Sequence, residues 1–373
     1  MAATDRISIV DVDVEPLSIP LREPFVIATG RIDATRAALV RATVETPDGR
    51  RATGFGEAAA LPPVTREDQP ALLAEIGAVA ADLRGVALDD FGEILNRQPP
   101  LGHVALAGIE TAILDAGSRL ARVPLYQSLA NRAVTATELH TDITLPISDP
   151  ERMAAGARAH RRAGFDTFKV KVGRDWRADL ASLRAVAAAV PDARFRLDAN
   201  AGFIALDARA LLDAALSDGL TIECFEQPCA AADLKGMAEV AAHSPVPVVA
   251  DESFRGVDDL ERLVSARAAQ GVNLKLAKLG GPLTALWLGQ RARALGLRLM
   301  AGAMVETRVG LLAMAHVVAA LGGVDWVDLD TALLLADDPF EGGWTFDGPR
   351  IRLAAEPGLG VSVRASTGLD PSP

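Results

Sequence analysis

The sequence predicts an α/β fold in which a parallel (β/α) barrel follows a smaller α+β domain. Three observations predict it. The chain has 373 residues, long for one ordinary domain and suited to two. From residue 138 onward, short apolar runs alternate with helical periodicity eight times over roughly 190 residues, which favours a closed barrel over an open sheet. Charged residues recur where those runs end. Half the residues are hydrophobic but only 4% are aromatic, so Ala, Leu and Val must build the core, as in helices packed on buried strands.

In chain order, residues 7–18 alternate apolar and polar and read as a strand. Further strands are expected near 36–45 and 50–57, with Thr46-Pro47-Asp48-Gly49 as the turn between them. Helical periodicity follows at 68–84, 88–97 and 103–122, completing an α+β domain. The barrel strands are expected near 139–144, 167–172, 194–198, 221–226, 246–251, 272–276, 297–302 and 325–330. Helices lie between them, for example at 150–163, 178–190, 257–269 and 282–295. Asp149-Pro150 sets a capping side chain before a proline that suits a first helical turn. After residue 331 the rhythm stops. A tail with turns at Asp347-Gly348-Pro349 and Glu356-Pro357-Gly358 is expected to return to the first domain. The expected division is 1–125, 126–335 and 336–373.

The formal net charge of −11 argues against a nucleic-acid or anionic-membrane surface, which needs clustered Lys and Arg. It leaves a small-molecule substrate open. The two cysteines, Cys224 and Cys229, form no disulfide framework, and their spacing matches no common zinc site. The N-terminus has no apolar run of signal-peptide length, and no stretch of about 18 apolar residues would span a membrane. A soluble cytoplasmic protein is expected.

Chemistry gathers at the C-terminal ends of barrel strands. Lys171, Asp198, Glu226, Asp251 and Lys275 all fall there, separated by 27, 28, 25 and 24 residues. Each gap is one βα unit, so one charged group per strand points into the same mouth. Three neighbouring carboxylates need a cation, or their repulsion raises their pKa values. With no His or Cys beside them, Asp198, Glu226 and Asp251 make an all-oxygen set that favours Mg²⁺, with Mn²⁺ as a substitute. Lys169 and Lys171 leave the same strand face, and two ammonium groups held together are expected to depress the pKa of at least one. Lys275 comes from across the mouth. A lysine on each side of a metal-held substrate suits 1,1-proton transfer: one removes the α-proton, the other returns a proton to the opposite face. Lys278 is secondary.

The motifs Lys-Val-Lys (169–171), Asp-Ala-Asn (198–200), Glu-Gln-Pro (226–228), Asp-Glu-Ser (251–253) and Asn-Leu-Lys (273–275) together resemble the enolase superfamily, in its muconate-lactonizing subgroup. The resemblance covers nearly the whole chain. It implies a modified (β/α)7β TIM-type barrel with an α+β capping domain completed by the C-terminal tail. Strand seven, Leu297–Ala301, lacks the His that mandelate-racemase relatives use. Asp328-Leu329-Asp330 and Met304–Arg308 narrow the resemblance to dipeptide epimerases, where such an Asp pair holds the substrate's α-ammonium group. The implied reaction is epimerisation of the C-terminal residue of a dipeptide such as L-Ala-L-Glu. Thr144 is expected to face the substrate, and Asn200 and Glu252 to stand behind the metal ligands. A glutamyl substrate would want a cation from the segment 22–31, and Arg31 or Arg22 would supply it, with Arg308 another candidate. Homo-oligomers are common among such enzymes. The rival readings are an N-succinyl amino acid racemase, o-succinylbenzoate synthase or muconate-type cycloisomerase of the same superfamily, a barrel aldolase with a Schiff-base lysine, and a non-catalytic ligand-binding protein.

Overall fold

The alternation that begins at residue 7 runs further than expected. In the computed structural model, which describes residues 6–28, 30–62, 64–97, 101–130, 132–134 and 136–365, β1 spans Ser8–Ile27, β2 Gly30–Glu45 and β3 Arg51–Ala60. They form an antiparallel meander. The described residues of the segment 22–31 form the far end of the β1–β2 hairpin, with Phe25 opposite Ile32 and Ile27 opposite Gly30. β1 is an edge strand, so Pro16 and Pro20 disrupt no central ladder. The turn at Thr46–Gly49 closes as expected, Gly49 adopting φ +86°.

Helices α1 (Gln69–Leu83), α2 (Phe91–Arg97), α3 (His103–Ala121) and α4 (Leu125–Leu129) follow. α3 lies very close against β3: a Cβ on Gly56 would stand 2.0 Å from the Gly108 carbonyl oxygen. Only glycine admits that approach.

The expected strand 139–144 is two elements. β4 (Glu138–His140) is largely exposed, while β5 (Ile143–Leu145) is wholly buried. A half-solvated strand suits an antiparallel edge and a wholly apolar setting suits a barrel. β5 therefore joins the barrel and β4 pairs elsewhere. The remaining barrel strands are β6 (Thr167–Lys171), β7 (Arg194–Asp198), β8 (Thr221–Glu226), β9 (Val248–Ala250), β10 (Gly271–Leu274), β11 (Arg298–Ala301) and β12 (Trp326–Val327). They run parallel in sequence order. A parallel bridge between Thr141 and Val327, with the Asp142 amide donating to the Val327 carbonyl at 3.1 Å, joins the two edges. The helices are α5 (Pro150–Arg162), α6 (Trp176–Ala189), α7 (Ala205–Ser217), α8 (Leu234–His243), α9 (Val257–Ala266), α10 (Leu276–Leu279), α11 (Pro282–Ala294) and α12 (Arg308–Leu321). Asp149 caps α5 by accepting from the Arg152 amide at 2.9 Å. A 3-10 turn at Thr331–Leu334 stands where an eighth helix would follow β12. The barrel is (β/α)7β.

The tail forms β13 (Phe340–Gly342), β14 (Trp344–Asp347), β15 (Arg350–Leu353) and β16 (Val361–Val363). β15 pairs with β4, and β13 with β16. Buried Asp115 of α3 binds the tail to the cap: its carboxylate accepts from the Leu359 amide at 2.6 Å and the Phe55 amide at 2.8 Å. Among the described residues, no helix is long and apolar enough to cross a membrane.

Candidate active site

The barrel order fixes the compass of the site. Eight strands close the ring, so strands four apart face each other. Lys171 ends β6, and Lys275 follows β10 on the opposite side. Asp198, Glu226 and Asp251 lie at the ends of β7, β8 and β9, in the arc between the lysines. Asp328 follows β12, opposite Glu226. Two diameters therefore cross, one carrying lysines and the other carboxylates.

Lys169, 1% exposed, lies deeper on β6. Its Nζ is 2.6 Å from Asp328 Oδ2, 2.7 Å from Glu226 Oε2 and 3.1 Å from Asp198 Oδ2. Lys171 Nζ donates to Asp198 Oδ2 at 2.6 Å. Lys275 Nζ donates to Asp251 Oδ2 at 2.8 Å. Lys278, set aside in sequence, donates to the Asp251 carbonyl at 2.7 Å and also to its carboxylate. Asn273 Nδ2 donates to Glu226 Oε1 at 2.7 Å.

These contacts decide the charge states. Burial would raise the Asp198 carboxyl, but Lys171 and then Lys169 outweigh it and hold it low. Asp251 is likewise lowered, burial losing to Lys275 and Lys278. Glu226 is raised by burial and by Asp198. The depression expected for at least one β6 lysine does not fall on Lys169. Burial would lower it, yet Asp328, Glu226 and Asp198 together push it well above the ordinary lysine value. Carboxylates from three other strands outweigh one neighbouring ammonium.

Among the described residues, no three acidic side chains form a ready-made metal cage. The reason is visible: one ammonium bridges Asp198 and Glu226, and two hold Asp251. The donor chemistry nevertheless fits a hard divalent cation. Asp198, Glu226 and Asp251 offer only oxygen, and the Lys169 bridge puts oxygens of Asp198 and Glu226 within 3.1 Å of one cationic atom.

Other expected residues divide. Thr144 lines the cavity above this cluster, and its amide donates to Asp330 Oδ2 at 2.6 Å. Asp328 lines the cavity, whereas Asp330 is buried behind it and raised to about 7 by burial and by Asp328. Asn200 and Glu252, expected behind the ligands, border the cavity themselves and meet at 3.3 Å. Arg31 is corrected outright: its exposed side chain pairs with Asp33 at 3.0 Å, because the hairpin turns it outward. Arg22 is also exposed. Arg308 faces the tail, donating to the Gly342 carbonyl at 2.9 Å.

A family model described as enolase C-terminal domain-like matches residues 152–367, more than half of the chain. The chain belongs to the enolase superfamily. A hydrophobic dipeptide epimerase from Citrifermentans bemidjiense is 36% identical, covering 93% of this chain and 95% of its own. The substrate-liganded L-Ala-D/L-Glu epimerase from Bacillus subtilis superposes with a TM-score of 0.89 at 31% identity, over 95% of this chain and 98% of its own. The dipeptide epimerase from Enterococcus faecalis V583, complexed with Mg and L-Leu-L-Tyr, gives 0.88 at 33% identity, over 95% and 99%.

Sequence reasoning missed several parts of this enolase-superfamily site. Gln227 braces it: its Oε1 accepts from the Asp251 and Ser253 amides at 2.8 and 3.1 Å. Gln227, Asn200 and Ala201 all have positive φ, backbone strain of the kind that clusters where a site is over-determined. Glu-Gln-Pro and Asp-Ala-Asn carried that signal only as motifs. Arg196 of β7 closes the barrel beneath, donating to Asp142 Oδ2 and the Val327 carbonyl, both at 2.9 Å.

Proposed function

We propose that the protein is a Mg²⁺-dependent dipeptide epimerase, an isomerase working by 1,1-proton transfer at the α-carbon of the C-terminal residue. The observation that carries this is the opposition of Lys171 and Lys275 across the arc of Asp198, Glu226 and Asp251. In this reading those three carboxylates would hold the metal. When bound, Mg²⁺, or Mn²⁺ in its place, would supply positive charge that offsets the negative charge building on the substrate carboxylate as the α-proton leaves.

The rest is done by side chains. A neutral lysine on one face takes the α-proton, and the C–H electron pair moves into the bond between the α-carbon and the carboxyl carbon. The protonated lysine on the other face then delivers its proton to the α-carbon, and the pair returns. Lys169 holds the ligands Asp198 and Glu226 and also Asp328, and it takes no proton. Asp328, on the opposite pole from Glu226, receives the substrate's α-ammonium, with Asp330 behind it.

The Asp328 pole separates this reading from an N-succinyl amino acid racemase, whose substrate has its α-nitrogen acylated and so carries no α-ammonium group. Cytoplasmic residence and assembly into a homo-oligomer complete the proposal. The test is a dipeptide library in D₂O with Mg²⁺, read by NMR for α-deuterium and for the second epimer. Both should accumulate on C-terminal residues and stop on chelation. Asp328→Asn should lower kcat/KM for dipeptides by about 100-fold. Full activity in that variant, or no α-deuterium across the library, would contradict the assignment.

A further inference from the structure

The relatives named above act on glutamyl or on hydrophobic dipeptides, so membership alone does not choose a side chain. The cavity does. Its cap-facing wall is made of Phe25 and Ile27 from β1, Ile32 from β2, Leu61 and Val64 from the stretch after β3, and Met304 after β11. Among the described residues, no arginine or histidine lines it. Its cations are Lys169, Lys171 and Lys275, all on the floor and each within 2.8 Å of a carboxylate. The other charged lining groups, Asp251, Glu252 and Asp328, are acidic. The arginines nearest the site are turned elsewhere: Arg31 pairs with Asp33, Arg308 faces the tail, Arg22 is exposed, and Arg174, behind the wall, donates to the Ile27 carbonyl at 3.2 Å without lining the cavity.

The compass of the barrel says which substrate group meets that wall. The α-carbon has four substituents. Its carboxylate is committed to the arc of β7, β8 and β9. Its nitrogen runs toward Asp328 on β12. Its hydrogen faces Lys171 or Lys275. Lys169 fills the floor. The side chain is left with one direction, toward the cap, and it keeps that direction when the hydrogen changes sides. An apolar wall there accepts both epimers of an apolar residue. A charged side chain would lose its water there and find no partner of opposite sign on that wall.

Resting on the dipeptide reading, we infer that the enzyme selects dipeptides whose C-terminal residue is apolar and uncharged, and that Phe25, Ile27 and Ile32 set this choice. The test compares L-Ala-L-Leu, L-Ala-L-Phe, L-Ala-L-Glu and L-Ala-L-Lys on the Mg²⁺-loaded protein in D₂O. The apolar substrates should exceed both charged ones by at least about 100-fold in kcat/KM. Ile32 is half-buried and lines the cavity. Ile32→Arg should narrow the Leu-to-Glu ratio at least about tenfold. Calorimetry on Lys275→Ala should show L-Ala-L-Leu binding more tightly than L-Ala-L-Glu, which holds the inference open to refutation if the Ile32 variant fails to fold. Turnover of L-Ala-L-Glu equal to that of L-Ala-L-Leu would overturn the selectivity and leave the epimerase standing. Exchange on N-succinyl amino acids with none on any dipeptide would overturn the epimerase reading, and the selectivity with it.

Discussion

Lys169 and Lys171 are two residues apart on one strand face, yet their surroundings assign them different work. Lys169 is held by three carboxylates and Lys171 by one. The charges themselves were legible in the sequence, because one charge at each of five successive strand ends is hard to obtain unless the strands share a mouth. The partition between the two lysines was not, since Glu226 and Asp328 lie 57 and 159 residues from Lys169. The apolar cap-facing residues were illegible for another reason. Phe25 or Ile32 looks the same in sequence whether it faces a core or a cavity. Gly302 was equally silent. A Cβ there would stand 2.8 Å from Asn273 Oδ1 and 3.1 Å from Lys275 Cε. Gly302→Ala should therefore displace Lys275 and lower kcat by about 100-fold, with the circular-dichroism spectrum unchanged. A fully active variant would show that Lys275 has freedom the packing denies it.

At the scale of elements, one buried acidic side chain of the cap caps a barrel helix. Glu57 of β3 sits at the N-terminus of α12, accepting from the Thr307 and Gly310 amides at 3.0 and 3.1 Å and from the Thr307 hydroxyl at 2.5 Å. Burial, and then nearby Glu306, raise it to about 8. Glu306 is itself raised to about 7, chiefly by burial. The folded protein thus keeps a proton that the unfolded chain has already released at neutral pH. This stabilisation is complete below the ordinary carboxyl value of 4.5 and is lost as pH rises through about 8. The melting temperature should fall by a few degrees between about pH 6 and pH 9. Glu57→Gln should flatten that fall, and parallel curves for the two proteins would contradict the account. Elements were read well where periodicity was long, as in α3 and α5. They were read badly where a switch of partner took two residues. Thr141 and Asp142 separate β4 from β5, and nothing local announces that one strand pairs with the tail and the next with the barrel.

At the scale of the whole molecule, the barrel turns sequence order into compass directions. Strand spacing alone places Lys171 and Lys275 on one diameter, since β6 and β10 are half a ring apart. The hairpin of the cap could not be placed that way, because its position over the mouth depends on packing between distant segments, such as the Thr35 hydroxyl donating to the Val305 carbonyl at 2.7 Å. In the proposed reaction the two lysines act on opposite faces of one α-carbon. Exchange in D₂O on Lys171→Ala and Lys275→Ala, each given the two epimers of one dipeptide separately, tests it most directly. Each variant should lose epimerisation by at least about 1,000-fold. Each should still place deuterium at the α-carbon of one epimer, a different one for each variant. Exchange of both epimers by either single-lysine variant would contradict the account.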